Sequence, residues 1–87
     1  MASVIIKKPS QAEIESFRTD PVWEHEAAAF PWSYSEREVC FLLEGDVTVK
    51  CADGEYRFGA GDCVEFAAGL SCEWIIHKKV RKHYRFG

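Results

Sequence analysis

The sequence predicts an all-β fold: a single antiparallel barrel with one short helix near the N-terminus. Three observations carry this expectation. Turn signals recur at short intervals in the second half of the chain: Gly45-Asp46, Asp53-Gly54, Gly59-Ala60-Gly61 and Gly69. The stretches between them are short and rich in Val, Phe, Tyr, Trp and Ile, the rhythm of a sandwich or barrel. Within them apolar and polar residues alternate, so each strand turns one face to a core. The chain has 87 residues, enough for one domain. So short a chain gains burial by closing a barrel or by pairing with a copy of itself.

The elements follow in order. Residues 3–7 read as a short strand. Residues 9–17 read as one or two helical turns, with Ser10 as N-cap and Glu13 as the returning member of a capping box. Ile14 and Phe17 then face the body of the protein. Residues 1–20 thus form a strand and helix packing on a barrel made by residues 21–87. Residues 22–28 read as a strand leading to Pro31. In residues 38–43 the set Glu38, Cys40 and Leu42 alternates with Val39, Phe41 and Leu43. Both sets are largely apolar, so both faces need covering. One face is assigned to the barrel interior and the other to the N-terminal segment or a second subunit, and a homodimer is expected on that ground.

After Gly45, Val47, Val49 and Cys51 share the inner face. Asp53-Gly54 is a hairpin signal joining residues 46–52 to residues 55–58. After Gly69, Cys72, Trp74 and Ile76 share a face. In the last strand Val80, Lys82, Tyr84 and Phe86 oppose Arg81, His83 and Arg85. The apolar set belongs inside, and Lys82 goes in with it.

The composition excludes several classes. An apolar fraction of 47% and an aromatic fraction of 14% are globular, not disordered. The net charge of −3 offers no overall attraction to nucleic acid. The basic run at residues 78–85 reads as a solvated strand face. No run reaches membrane-spanning length. Residues 1–8 lack the charge order and apolar length of an export signal. A cytoplasmic protein is expected, with no nucleic-acid or membrane partner. The four cysteines, Cys40, Cys51, Cys63 and Cys72, lack the short paired spacing of a zinc knuckle and read as reduced thiols.

Two segments carry a resemblance. They are Glu38-Val-Cys-Phe-Leu-Leu-Glu-Gly45 and Gly61-Asp-Cys-Val-Glu-Phe-Ala-Ala-Gly69. They resemble the two motifs of the cupin superfamily, jelly-roll barrels that often hold a metal. The first keeps its glutamate and glycine, but its histidine places hold Trp32 and Tyr34. The second keeps both glycines, its proline place is Ala67 and its histidine place is Cys72. Of the four usual metal ligands only Glu38 is retained, with Cys72 as a replacement. Further features are Trp23-Glu-His-Glu, Gly69-Leu-Ser-Cys-Glu-Trp74 and Val80-Arg-Lys-His-Tyr84. Together they are similar to the small single-domain cupins grouped with the cupin domain of ureidoglycine aminohydrolase. Those aminohydrolases resemble a two-cupin chain with a manganese site built from histidines. This chain has one domain and lacks those histidines.

Glu38 is the central candidate. An ionised carboxylate inside a barrel is costly unless paired or metal-bound. It is read either as ligand, general acid/base or substrate anchor, or as half of a structural ion pair with Lys82. Cys72 is read as a soft metal ligand, a nucleophile or a packed thiol. A nucleophile needs a base, and His77 and His83 both fall on the outer parity. His25, flanked by carboxylates, reads as a solvated edge histidine. Glu38 and Cys72, with Cys40, form a candidate site for a divalent, thiophilic metal. Trp32, Tyr34, Trp74 and Tyr84 supply an aromatic wall for a small-molecule pocket, with Cys40 and Lys82 beside them. Three functions are open: binding a small polar or nitrogen-containing metabolite around Glu38, a metalloenzyme with a Glu/Cys centre, or a structural role without pocket chemistry.

Overall fold

The computed structural model describes residues 3–87. Met1 and Ala2, part of the expected N-terminal unit, lie outside the described residues. In chain order the elements are β1 (Val4–Lys7), α1 (Gln11–Ser16), β2 (Val22–His25), β3 (Ala28–Ser33), β4 (Glu38–Cys51), β5 (Gly54–Gly59), β6 (Cys63–Phe66) and β7 (Ser71–Phe86). The strands pair antiparallel throughout.

Two long strands make the barrel. The first half of β4 and the second half of β7 lie in a sheet ordered β1-β6-β4-β7-β2. Their other halves pair with each other again, flanked by β5 on β4 and β3 on β7. Both strands therefore bend through a corner from one sheet to the other. The expected turn at Gly45-Asp46 is this corner and not a chain reversal. The β4–β7 register slips between Leu42 and Val47, and the slip moves the inward residues from Glu38, Cys40 and Leu42 to Val47 and Val49. Gly45 adopts φ +129°, and a Cβ there would lie 2.9 Å from the Val80 Cα and 3.2 Å from the Lys79 carbonyl oxygen. Only glycine lets the two backbones cross this closely.

Three further expectations are corrected in detail. Residues 22–28 are not one strand: β2 ends at His25, and β3 begins at Ala28 and runs through Pro31 to Ser33. The two late strands are one, β7, inward at Trp74, Ile76, Val80 and Lys82 and open to solvent at Lys78. The hairpin after β4 turns on Ala52 and Asp53, with Gly54 following at φ +137°.

The main core gathers Val4, Tyr34, Cys40, Leu42, Val47, Val49, Phe58, Val64, Phe66, Trp74, Ile76 and Val80. Outside it, α1 begins on the predicted capping box, Ser10 accepting from the Glu13 amide and the Glu13 carboxylate from the Ser10 amide. The chain leaves α1 at Phe17, whose ring stacks on Phe41 at 5.7 Å. Phe17, Phe41 and Cys63, with Ile14 and Val39, form a second apolar cluster. The outer face of β4 is thus covered at Val39 and Phe41 by the chain's own N-terminal segment. Leu43 alone of that set stays exposed. β1 is hydrogen-bonded into the sheet through β6, so the N-terminal strand is a stave of the barrel and only α1 is applied to its outside.

Candidate functional site

β4 enters the barrel at Glu38, and β7 brings Lys82 up beside it. The Lys82 Nζ donates to Glu38 Oε2 at 2.7 Å. Glu38 and Lys82 are each 5% exposed, the two buried charged residues among the described residues. Taking both charges out of water carries a penalty that the attraction offsets only at close range and with further partners. The surrounding rings supply some of that. The ammonium lies 4.8 Å from the Trp74 ring centroid, 5.2 Å from Trp23 and 6.0 Å from Phe66, within cation–π range.

The pair opens into a cavity of about 220 Å³ lined by Trp23, Phe30, Trp32, Tyr34, Glu38, Trp74, Lys82, Tyr84 and Phe86. Its floor is stiff. Tyr34 stacks on Phe66 at 4.7 Å with the planes 7° apart, and the Trp74 indole N–H donates to the Tyr34 hydroxyl at 3.0 Å. Burial, reinforced by the nearby Glu38 charge, raises Tyr34 above the ordinary tyrosine value of 10.0. Its hydroxyl therefore keeps its proton, and that proton remains to be donated. The mouth is more exposed: Trp32 is 48% exposed and Phe86 55% exposed. Among the described residues, Lys82 is the one donor to the Glu38 carboxylate, so Oε1 is an open acceptor.

Of the residues singled out from sequence, Glu38, Lys82, Trp32, Tyr34, Trp74 and Tyr84 meet here. Cys40 and Cys72 do not line the cavity. Cys40 is sealed in the core, and burial pushes its thiol up to about 12. Cys72 sits further along β7, in register with Cys51 of β4 and Trp32 of β3, and burial pushes it up to about 11. A thiol so far above neutral pH makes a poor nucleophile.

The residues also fail to suit the expected metal. The Glu38 carboxylate already accepts from a lysine, and Cys72 lies outside the cavity. Among the described residues no group of three or more His, Cys, Asp or Glu side chains is placed to hold an ion. The histidines are turned elsewhere. His83 Nδ1 donates to the Asp20 carbonyl at 2.9 Å, His77 meets the Thr48 hydroxyl at 2.8 Å, and His25 bonds the carbonyl of its neighbour Glu26.

Sequence reasoning missed Trp23, Phe30 and Phe86 as lining residues. Phe86 shares the parity that placed Lys82 and Tyr84 inside, so its signal was present. Trp23 and Phe30 arrive through strand register, Trp23 opposite Lys82 and Phe30 opposite Trp74, which no local pattern encodes.

A second, more polar groove lies between α1 and the sheet, lined by Ile5, Lys7, Glu13, Phe17, Arg37 and Arg85 among others. Its cations are already engaged: Lys7 with Glu13 at 2.6 Å, Arg37 with Glu65, and Arg85 with Asp20 at 2.6 Å.

Comparisons with known proteins agree with this architecture. A DUF861 family protein from Thermotoga maritima is 40% identical, superposes with a TM-score of 0.93, and the match covers 97% of this chain and 99% of that one. A DUF861 protein of unknown function from Pseudomonas syringae pv. tomato is 28% identical with a TM-score of 0.68, over 76% of this chain and 29% of that longer one. A putative ethanolamine utilization protein Q from Salmonella typhimurium shares the fold, with a TM-score of 0.70 at 24% identity over 95% of this chain and 68% of that one. No curated protein matches. No helix among the described residues is long and apolar enough to cross a membrane. The model of the EutQ-like cupin domain matches residues 13–84. With its β4 and β7 corners, its glycine turns and its Glu38 in the barrel mouth, the chain belongs to the EutQ-like cupin family.

Proposed function

We propose that this cupin binds a small polar, nitrogen-containing metabolite in the cavity around Glu38. The observation that carries the reading is the buried Glu38–Lys82 pair opening into an aromatic-walled pocket. A pair kept solely for stability has no need of an adjoining cavity. An apolar replacement of similar volume would serve the fold as well or better. Apolar walls with a few convergent polar groups are the ordinary make-up of a small-molecule site. The cavity lies below the roughly 300–1,000 Å³ of drug-sized pockets, which points to a metabolite. The sequence likeness to the ureidoglycine aminohydrolase cupin domain supports a nitrogen-containing ligand. It does not bring the histidine-built manganese site of those proteins with it.

A thermal-shift screen of polar nitrogen compounds tests the reading. A ligand bound only by the folded protein raises stability by RT ln(1 + [L]/Kd). Hits are expected to raise the wild-type melting temperature and to lose that effect in Trp32→Ala, whose exposed side chain can be removed without opening the core. A hit that shifts both proteins equally binds elsewhere, and a screen in which every hit does so overturns the reading.

A further inference from the structure

We infer that the ligand of this cavity is electrically neutral and flat, a carboxamide-, urea- or lactam-like group. This rests on the reading of the cavity as a small-molecule site and narrows it. Among the described residues, four titratable side chains line the cavity: Glu38, Lys82, Tyr34 and Tyr84. Glu38 and Lys82 cancel each other across 2.7 Å, and Tyr34 keeps its proton. The site therefore presents no net charge, and the rest of its lining is aromatic.

An anionic ligand would place a second negative charge against Glu38, in a setting too dry to screen it. A cationic ligand would meet a different obstacle. The aromatic cage that receives a ligand ammonium in other proteins is filled here by the protein's own: Lys82 Nζ stands over Trp23, Trp74 and Phe66. A second cation would be repelled from the same ring faces. A neutral group escapes both penalties.

The polar atoms left over define the rest. Glu38 Oε1 is an open acceptor, and it asks for an N–H. Lys82 uses one of its three N–H donors on Glu38, and Tyr34 uses its hydroxyl as acceptor toward Trp74 while retaining its own proton. These donors ask for a carbonyl oxygen. An N–H and a C=O offered side by side within one conjugated plane is the chemistry of an amide, a urea or a lactam. The plane suits walls made of ring faces, on which flat π systems stack.

Three isosteric probes separate the possibilities: benzamide (neutral), benzoate (anionic) and benzamidine (cationic) at neutral pH. The chain has three tryptophans, and Trp23, Trp32 and Trp74 all line this cavity. Tryptophan fluorescence, excited at wavelengths where tyrosine does not absorb, therefore reports on the site. Benzamide is expected to perturb it with an affinity at least about tenfold above either charged probe, a difference of about 1.4 kcal/mol. Glu38→Gln leaves Lys82 unpaired and is expected to turn the preference to benzoate. Lys82→Met leaves Glu38 unpaired and is expected to turn it to benzamidine. Equal or tighter binding of a charged probe by the wild type overturns the neutral-ligand inference while leaving the cavity a binding site. Fluorescence unmoved by all three at millimolar concentration overturns the inference and the binding reading together. The wild-type comparison decides the matter even where a variant fails to fold.

Discussion

At the residue scale, the core admits the charges of Glu38 and Lys82 only as a pair. Glu38→Gln leaves the Lys82 ammonium buried with a weaker partner, and breaking such a pair costs about 3–5 kcal/mol. Urea unfolding followed by far-UV circular dichroism measures that loss. The double change Glu38→Leu with Lys82→Met is expected to recover most of it, because a buried pair exchanged for apolar residues of similar volume is often neutral or stabilising. If the double variant is as unstable as the single one, the loss comes from disturbed packing and not from a stranded charge. These two residues were legible in the sequence because strand parity put both inside and the cost of burial then demanded that they meet. Parity placed Trp74 and Tyr84 by the same argument, whereas Trp32 and Tyr34 were picked out by the cupin resemblance, at its histidine places. Parity misled at Cys72, which shares the inward face of Trp74 but stands one repeat further along β7, beyond the cavity. Alternation gives the face of a strand and says nothing of position along the barrel axis.

At the element scale, β4 and β7 were each read as two strands, β4 because Gly45-Asp46 is a turn signal. A corner and a turn use the same residues; what distinguishes them is the partner strand, which local sequence does not show. The Gly45 corner is the most constrained point. Gly45→Ala adds a Cβ at 2.9 Å from the Val80 Cα and forces an L side chain to φ +129°. A loss of about 1–3 kcal/mol is expected from the strained backbone alone, read as a lowered urea midpoint. The same substitution at Gly54, where a Cβ meets nothing within 4 Å, keeps the strain and lacks the clash, so it is expected to cost less. The α1 turn is legible down to its capping box, and it has a pH signature. The Lys7 ammonium, with the capping bonds from Ser10, holds the Glu13 carboxyl at about 2, below its ordinary 4.5. A lowered folded-state value stabilises above the unfolded value and is lost as pH falls through the folded one. The helix start is therefore expected to loosen between about pH 4.5 and pH 2, with the Glu13 side-chain carbon titrating near the lower value by NMR. Lys7→Met is expected to move that midpoint toward 4.5; an unchanged midpoint would assign the shift to the cap alone.

At the scale of the whole molecule, the N-terminal segment covers the outer face of β4, one of the two covers expected for it. Phe17 is 3% exposed and closes the outer face of β4. Phe17→Ala is expected to cost about 3–5 kcal/mol, as large core aromatics do, and to raise the scattering mass by exposing Val39 and Phe41. Scattering unchanged by that substitution would mean that the face is not sticky when opened. With this outer face covered, buried charge, open hydrogen-bonding capacity and a cavity coincide, among the described residues, at the barrel mouth. The polar groove beside α1 has more room, about 370 Å³, but its cations are committed to carboxylates. An amide-resolved 15N NMR titration with a thermal-shift hit tests this division most directly. The account predicts that the indole N–H signals of Trp23 and Trp32 and the amides around Glu38 and Lys82 move together and saturate, with the α1 groove silent. Shifts that instead cluster at Lys7, Arg37 and Arg85 and leave the three indoles in place would contradict it.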